Sequence, residues 1–436
     1  MTIRATAAWL IEQEARALLT RLDRVRPFAL TETMVPAAAL SPAAQSAIER
    51  VLIQGRGDLR RQVLGFLAWL GSTGRGAPPD EQHNQFVTIR MQFNDVLAQL
   101  DLFSEVVTQR SEHSTGVWLS GLDVLAADAL TGFDVPLQAP PVVCYLARGP
   151  GAAIRRARTR LPGGTASPVA IVRVPRERMV GHGVASSLVH EVGHQGAALL
   201  ELVPSLRSLL QQFHGGPEDT SSPWRCWENW ISEIIADFWS IAALGISSTL
   251  GLLAVVSLPR WAVFRPSGND PHPVPYLRVL LSCEIGRALY PHPQWAALAA
   301  VWRELYPIDI VTDTYRRSLD DLVGSMPDFV AELLGHRPPA LHGRTLREIV
   351  PPNQRNPELL LELFGRWRTE PQRLAQVRPA LAFAVLGQAR AAGRLSPRSE
   401  SRVIGNLLTY WAARSSLDIS AICAGIPRTA PVRLIS

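Results

Sequence analysis

His190, Glu191 and His194 stand in the run Leu-Val-His-Glu-Val-Gly-His-Gln-Gly at 188–196. On a helix, two histidines four apart share a face, about one turn from each other. Their imidazoles can then reach one zinc ion, with Glu191 beside them to act on water held by the metal. Val184, Leu188 and Val189 before the run, and Ala197, Leu199 and Leu200 after it, are the apolar neighbours of a buried helix. Taken alone, the pattern also fits two core histidines that only hydrogen-bond. A zinc hydrolase needs a third protein ligand and an open fourth position. The segment 227–240, Trp-Glu-Asn-Trp-Ile-Ser-Glu-Ile-Ile-Ala-Asp-Phe-Trp-Ser, offers that ligand. Glu233 and Asp237 are again four apart, in apolar surroundings where a carboxylate is costly unless paired or metal-bound. Glu233 is the expected ligand. Asp237 is the expected acceptor for the spare ring N–H of a ligand histidine, His190 first, which would fix its tautomer. Glu228 is the rival third ligand, but it has no acidic partner four residues on.

HExxH followed by ExxxD resembles the gluzincins, the zinc peptidases whose third ligand is Glu. The HEVGH form, with Gly193 in fourth place, is similar to the CAAX prenyl protease and HtpX-like family. His-Pro-Val-Pro-Tyr-Leu-Arg at 272–278 adds to the resemblance. That family carries His-Pro followed by Arg six positions after the His, and His272, Pro273 and Arg278 match it. His292-Pro293 has Leu298 in the sixth place and does not. The resemblance covers 184–280, under a quarter of the chain. It implies a metalloendopeptidase in which zinc polarises the scissile carbonyl and lowers the pKa of bound water. Glu191 would take the proton from that water and pass it to the leaving amine. It also implies a donor for the oxyanion: His272 first, with Arg278 beside it, and the Tyr276 phenol second. A loop histidine between prolines is the plainer reading of His272. In gluzincins an edge strand before the active-site helix pairs with an extended substrate, a place the run 169–174 could fill. An ordinary sheet strand is compatible with the same residues. The well-known family members sit in membranes with several spans, whereas this chain has at most one candidate. A soluble, minimal relative acting on a protein or peptide is therefore the expectation, and lipidated substrates are not carried over. Two alternatives stay open: a zinc-binding regulatory protein without turnover, and a zinc hydrolase of a non-peptide amide.

Composition narrows the setting. Hydrophobic residues make up 47% and charged ones 19%, which suits a folded chain with a large core. The net charge of +6 comes from 44 basic residues, all Arg, with no Lys. They are spread along the chain, the densest group being Arg155, Arg156, Arg158 and Arg160. No basic face interleaved with aromatics emerges, so no nucleic-acid partner is expected. Four cysteines without a CxxC pair make no disulfide framework. The N-terminus has frequent charges and no signal-like apolar run, and a cytoplasmic location is the default. From Phe238 to Leu258 no residue is charged, long enough in principle to span a bilayer. Gly245, Ser247, Ser248, Thr249 and Gly251 interrupt it, favouring two buried helical pieces over a membrane span.

The elements that must position these residues follow from periodicity. Residues 1–135 read as a helical N-terminal region. Short β-like runs, Val142–Tyr145 and Val169–Val174, open a central gluzincin-like region, 136–335, that is otherwise mainly helical. His336 to Pro339 is a linker, and 336–436 a further helical region that either binds a partner or packs on the catalytic part. The fold class expected is α+β and predominantly helical, a zincin-like domain with a small sheet between helical extensions. Trp224, Trp227, Trp230, Phe238 and Trp239 read as core more readily than as a binding surface.

Overall fold

The structure is a computed structural model that describes residues 3–135, 137–147, 151–175, 181–214, 222–266, 268, 270–350 and 354–423. It is predominantly helical, with one small sheet.

Helices α1 (Ile3–Leu22), α3 (Pro42–Gly71) and α4 (Pro79–Val107) pack together, while the short α2 (Phe28–Thr31) joins the first two. Their contact surface is the heptad-like apolar stripe of Leu18 and Leu22, Leu59, Val63 and Phe66, and Phe86 and Phe93. Ser41 caps α3 by accepting from the Ala44 N–H at 3.2 Å, with Pro42 at the first helical position. Helix α5 (His113–Thr131) then enters the main core.

The sheet has strands β1 (Val142–Ala147), β2 (Ala153–Arg155) and β3 (Ala170–Pro175), in the order β1-β3-β2. β3 pairs parallel with β1, Val142 opposite Ala170, and antiparallel with β2, Ala153 opposite Arg173. Both faces of the sheet are covered. Val142, Cys144, Val172 and Val174 face one hydrophobic cluster, and Val143 and Ile171 face another built on α3 and α4. Burial on both faces is why these runs read as continuously apolar rather than alternating. Side chains close the outer edge of β1. The Asp123 carboxylate accepts from the Cys144 N–H at 2.7 Å, and Arg110 donates to the Cys144 carbonyl at 2.6 Å. Gln109 both donates to the Leu146 carbonyl and accepts from its N–H, each at 2.8 Å.

Helices α6 (Gly183–Leu199), α7 (Leu202–Leu210), α8 (Pro223–Leu244), α9 (Ile246–Val256), α10 (Arg260–Val263), α11 (Pro275–Leu289), α12 (Pro293–Leu305) and α13 (Asp313–Gly335) follow. The charge-free stretch 238–258 is divided between α8 and α9 at Gly245, whose φ of 59° suits a residue without Cβ. Both pieces pack against α6 and α11, and among the described residues no helix is long and apolar enough to cross a membrane. Trp227, Trp230, Phe238 and Trp239 are buried core.

The C-terminal helices α14 (Pro357–Thr369), α15 (Pro371–Gln376), α16 (Pro379–Ala391) and α17 (Pro397–Cys423) pack onto the rest of the molecule: α16 lies on α8 and α9, and α17 on α5. Arg378 holds Asp128 at 2.7 Å, and the Glu400 carboxylate meets His182, at the start of α6, at 2.9 Å. One hydrophobic cluster runs from Leu119 to Trp411, across the positions 135 and 336 where regions were expected to meet. The expected third region begins inside this shared core, and its last residues, 424–436, lie outside the described ones.

Candidate metal centre

The centre is built where α6 crosses α8 at close range. A Cβ on Gly193 would stand 2.9 Å from the Ala236 Cα and the Trp239 Cβ. A Cβ on Gly196 would stand 2.6 Å from the Trp239 ring. Only glycine lets the two backbones approach so nearly, and this sets the reach from the histidines of α6 to the carboxylates of α8.

His190 and His194 project from one face of α6 with ring centroids 5.0 Å apart. Glu233 faces both: its Oε2 lies 3.2 Å from His190 Nε2, and its Oε1 lies 3.6 Å from His194 Nε2. The ligand atoms of the three all fall within 4.8 Å of one another. Glu191 and Glu233 are both buried. Asp237, one turn beyond Glu233, meets His190 Nδ1 at 2.8 Å, leaving Nε2 directed at Glu233. Arg278 grips Asp237 with both arms of its guanidinium, Nε to Oδ2 at 2.7 Å and Nη2 to Oδ1 at 2.8 Å. Two parallel charge-assisted bonds fix the plane of that carboxylate and so the plane of the imidazole it holds.

His272 comes from the loop before α11. Its Nε2 lies 3.0 Å from Glu233 Oε2, and its Nδ1 is 2.7 Å from Asp270 Oδ1, which also accepts the His272 backbone N–H at 3.0 Å. Its side chain is 44% exposed, so it forms the open rim of the centre.

The electrostatics follow from this packing. Burial alone would depress the His190 imidazole, yet Asp237 and Glu233 outweigh it and push it up to about 9. Burial would raise the Glu233 carboxyl, but His190, His194 and His272 hold it well below the usual carboxylate range. Burial likewise opposes ionisation of Asp237, and Arg278 and His190 hold that group down. Glu191 goes the other way: burial raises it, against the pull of His190 and His194. His272 is raised chiefly by its contact with Glu233.

Two imidazoles and one carboxylate are a donor set that suits zinc. Glu233 Oε2 is buried, and although His190 Nε2 and His272 Nε2 stand 3.2 and 3.0 Å away, no hydrogen bond of adequate geometry reaches it among the described residues. A buried carboxylate oxygen left so among imidazole nitrogens is what an ion bound by all three would complete.

Beside the centre is a cavity of about 130 Å³, lined by Glu191, His190, Asp237, His272 and Arg278, by Gly151 and Ala152, and by several serines. Three of the serines bond to one another: Ser186 donates to the Ser248 carbonyl at 2.9 Å, and Ser248 donates to Ser240 at 2.8 Å.

Three expectations need correction. Tyr276 is not at the centre: its buried ring lies 5.0 Å from that of Phe264, and its phenol lies within the field of Arg303 of α12. Tyr276 and Arg278 are two apart on one helix, about 200° around its axis, so only one can face α8. Arg278 reaches the centre, but as the clamp on Asp237 rather than as a donor beside His272. The strand before α6 is not an edge strand: β3 is central and paired on both sides. Glu228 is also apart from the centre, bonded by Gln211 at 2.7 Å and facing His214 at 3.2 Å.

Two further positioning residues carry little or no signal in the sequence. Gln195, next to His194, is buried and accepts the Ala157 N–H at 2.8 Å, tying the segment after β2 to α6. Asp270 orients His272; its only sequence signal is an Asp two residues ahead of a histidine, a turn-forming spacing. The chain matches no protein-family model, no curated protein and no solved structure.

Proposed function

We propose that this chain is a zinc-dependent metalloendopeptidase of the gluzincin kind. The observation that carries the proposal is the convergence of His190, His194 and Glu233 beside Glu191, with Asp237 and Arg278 behind His190. His190 Nε2, His194 Nε2 and a Glu233 oxygen would hold the ion. Zinc bound there supplies Lewis acidity and makes water a nucleophile at neutral pH. Glu191, its basicity raised by burial, takes the proton from the attacking water and delivers it to the departing amine. His272, on the exposed rim, donates from its ring to the carbonyl oxygen as charge develops there. Asp237 keeps the His190 proton on Nδ1, and Arg278 keeps Asp237 ionised and in plane.

The substrate is an extended peptide. The cavity of about 130 Å³ is small against the 300–1,000 Å³ typical of pockets that enclose small molecules. A chain lying across the rim suits it better than an enclosed small amide. With β1 closed by side chains and β3 central, the outer edge of β2 is the one that remains for strand addition. Gly151 and Ala152 lead from the cavity directly into β2.

Metal analysis by mass spectrometry, paired with cleavage of a proteome-derived peptide library, tests the proposal. About one zinc per chain and cleavage that disappears in Glu191→Gln, with zinc retained, is the expected result. Iron in place of zinc would overturn it, because two histidines and one carboxylate also serve non-haem iron oxygenases. Zinc without cleavage by the wild type would leave a binding protein.

A further inference from the structure

A second cavity, of about 680 Å³, lies among α14, α15, α16 and α17, and shares no lining residue with the metal centre. Its volume falls within the range of ligand pockets. Phe364, Trp367, Leu374, Leu395 and Leu407 form its walls, all largely buried. The walls are fixed to one another: the Trp411 indole N–H donates to the Ala375 carbonyl at 3.2 Å and ties α17 to α15.

The charges around it are one-sided. Arg368 and Arg394 line the cavity, and among the described residues no carboxylate does. Several other arginines of these helices and their flanks are engaged, Arg366 with Glu362, Arg373 with Glu370, Arg378 with Asp128 and Arg390 with Glu400; Arg398 and Arg402 of α17 form no ion pair among the described residues but do not line the cavity. Arg368 and Arg394 have no acidic partner among the described residues. An apolar chamber with two unengaged guanidinium groups is complementary to a ligand with an apolar body and one anionic end.

We propose that this cavity binds a fatty acid, its chain along Trp367, Leu374 and Leu407 and its carboxylate held by Arg368 and Arg394. The site stands apart from the peptidase reading and would survive its failure.

Calorimetry of the full chain tests this with dodecanoate below its micelle concentration, against 1-dodecanol, which keeps the chain and lacks the charge. One dodecanoate per chain, bound about tenfold or more tighter than the alcohol, is the expected result. Replacing both exposed arginines (R368A with R394A) leaves the walls intact and should remove that difference, with an unchanged melting curve as the control for folding. Equal affinity for acid and alcohol, or no effect of the double variant, overturns the proposal. Tighter binding of dodecyl phosphate than of dodecanoate overturns the carboxylate assignment. Binding that emerges only after residues 424–436 are removed assigns the cavity to the chain's own end instead.

Discussion

The residue that organises the centre without touching a substrate is Asp237. It carries the His190 ring on one side and the Arg278 guanidinium on the other. Asp237→Asn should lower zinc affinity by about 10–100-fold, the usual cost of losing such a partner. Competition with a zinc-sensitive dye measures it, and unchanged affinity would remove Asp237 from the positioning role. A pH dependence follows from the metal-free state. Below about 9 the His190 imidazole carries both protons, and a metal must displace the one on Nε2. Zinc affinity should therefore rise by about tenfold per pH unit from neutrality toward that value and then flatten. A profile flat across that window would mean that His190 does not ligate. At this scale the sequence was readable wherever partners share one helix. The i, i+4 pairs His190–His194 and Glu233–Asp237 are visible because helical geometry alone puts them on one face. Gln195 and Asp270 were not, since a polar side chain's partner across the fold leaves no local pattern. Tyr276 was misplaced for want of its helical phase: its chemistry suits an oxyanion donor, its angle on α11 does not.

Among the elements, the contact of α6 with α8 matters most, because each carries half of the centre. Gly193→Ala would force its Cβ against backbone and against Trp239, with no flexible side-chain end to give way. The expected cost is about 1–3 kcal/mol of stability. Zinc affinity should fall with it, since the helices part along the line that joins the ligands. Thermal melting with and without zinc checks both, and a variant that keeps wild-type values would show that the approach is not needed. Helices and the two longer strands were legible from apolar spacing and flanking prolines. β2 was not: it holds three residues in an Arg-rich connector, and its pairing with β3 is set by the fold rather than by composition. The edge position for β3 was only what the resemblance implied, and the sequence offered no check on it, for it shows that a run is apolar but not how many neighbours it has.

In the whole molecule, one core joins α5, the sheet, helices α6 and α8 and α14–α17. The composition announced a core of this size, but not that it would ignore the linker-like stretch at His336–Pro339. A chain ended at 336 should lose its folded baseline and take up zinc no better than an unstructured peptide with the same ligands. Circular dichroism with a zinc titration would show it; a cooperative melt at the wild-type temperature would contradict the shared core. The link between His182 and Glu400, separated by 218 positions, carries this into the order of biosynthesis. Translation runs from the N-terminus, so the helix that bears both histidines is made long before the carboxylate that anchors its start. On the proposed function, a centre assembled that way stays latent until α17 has left the ribosome.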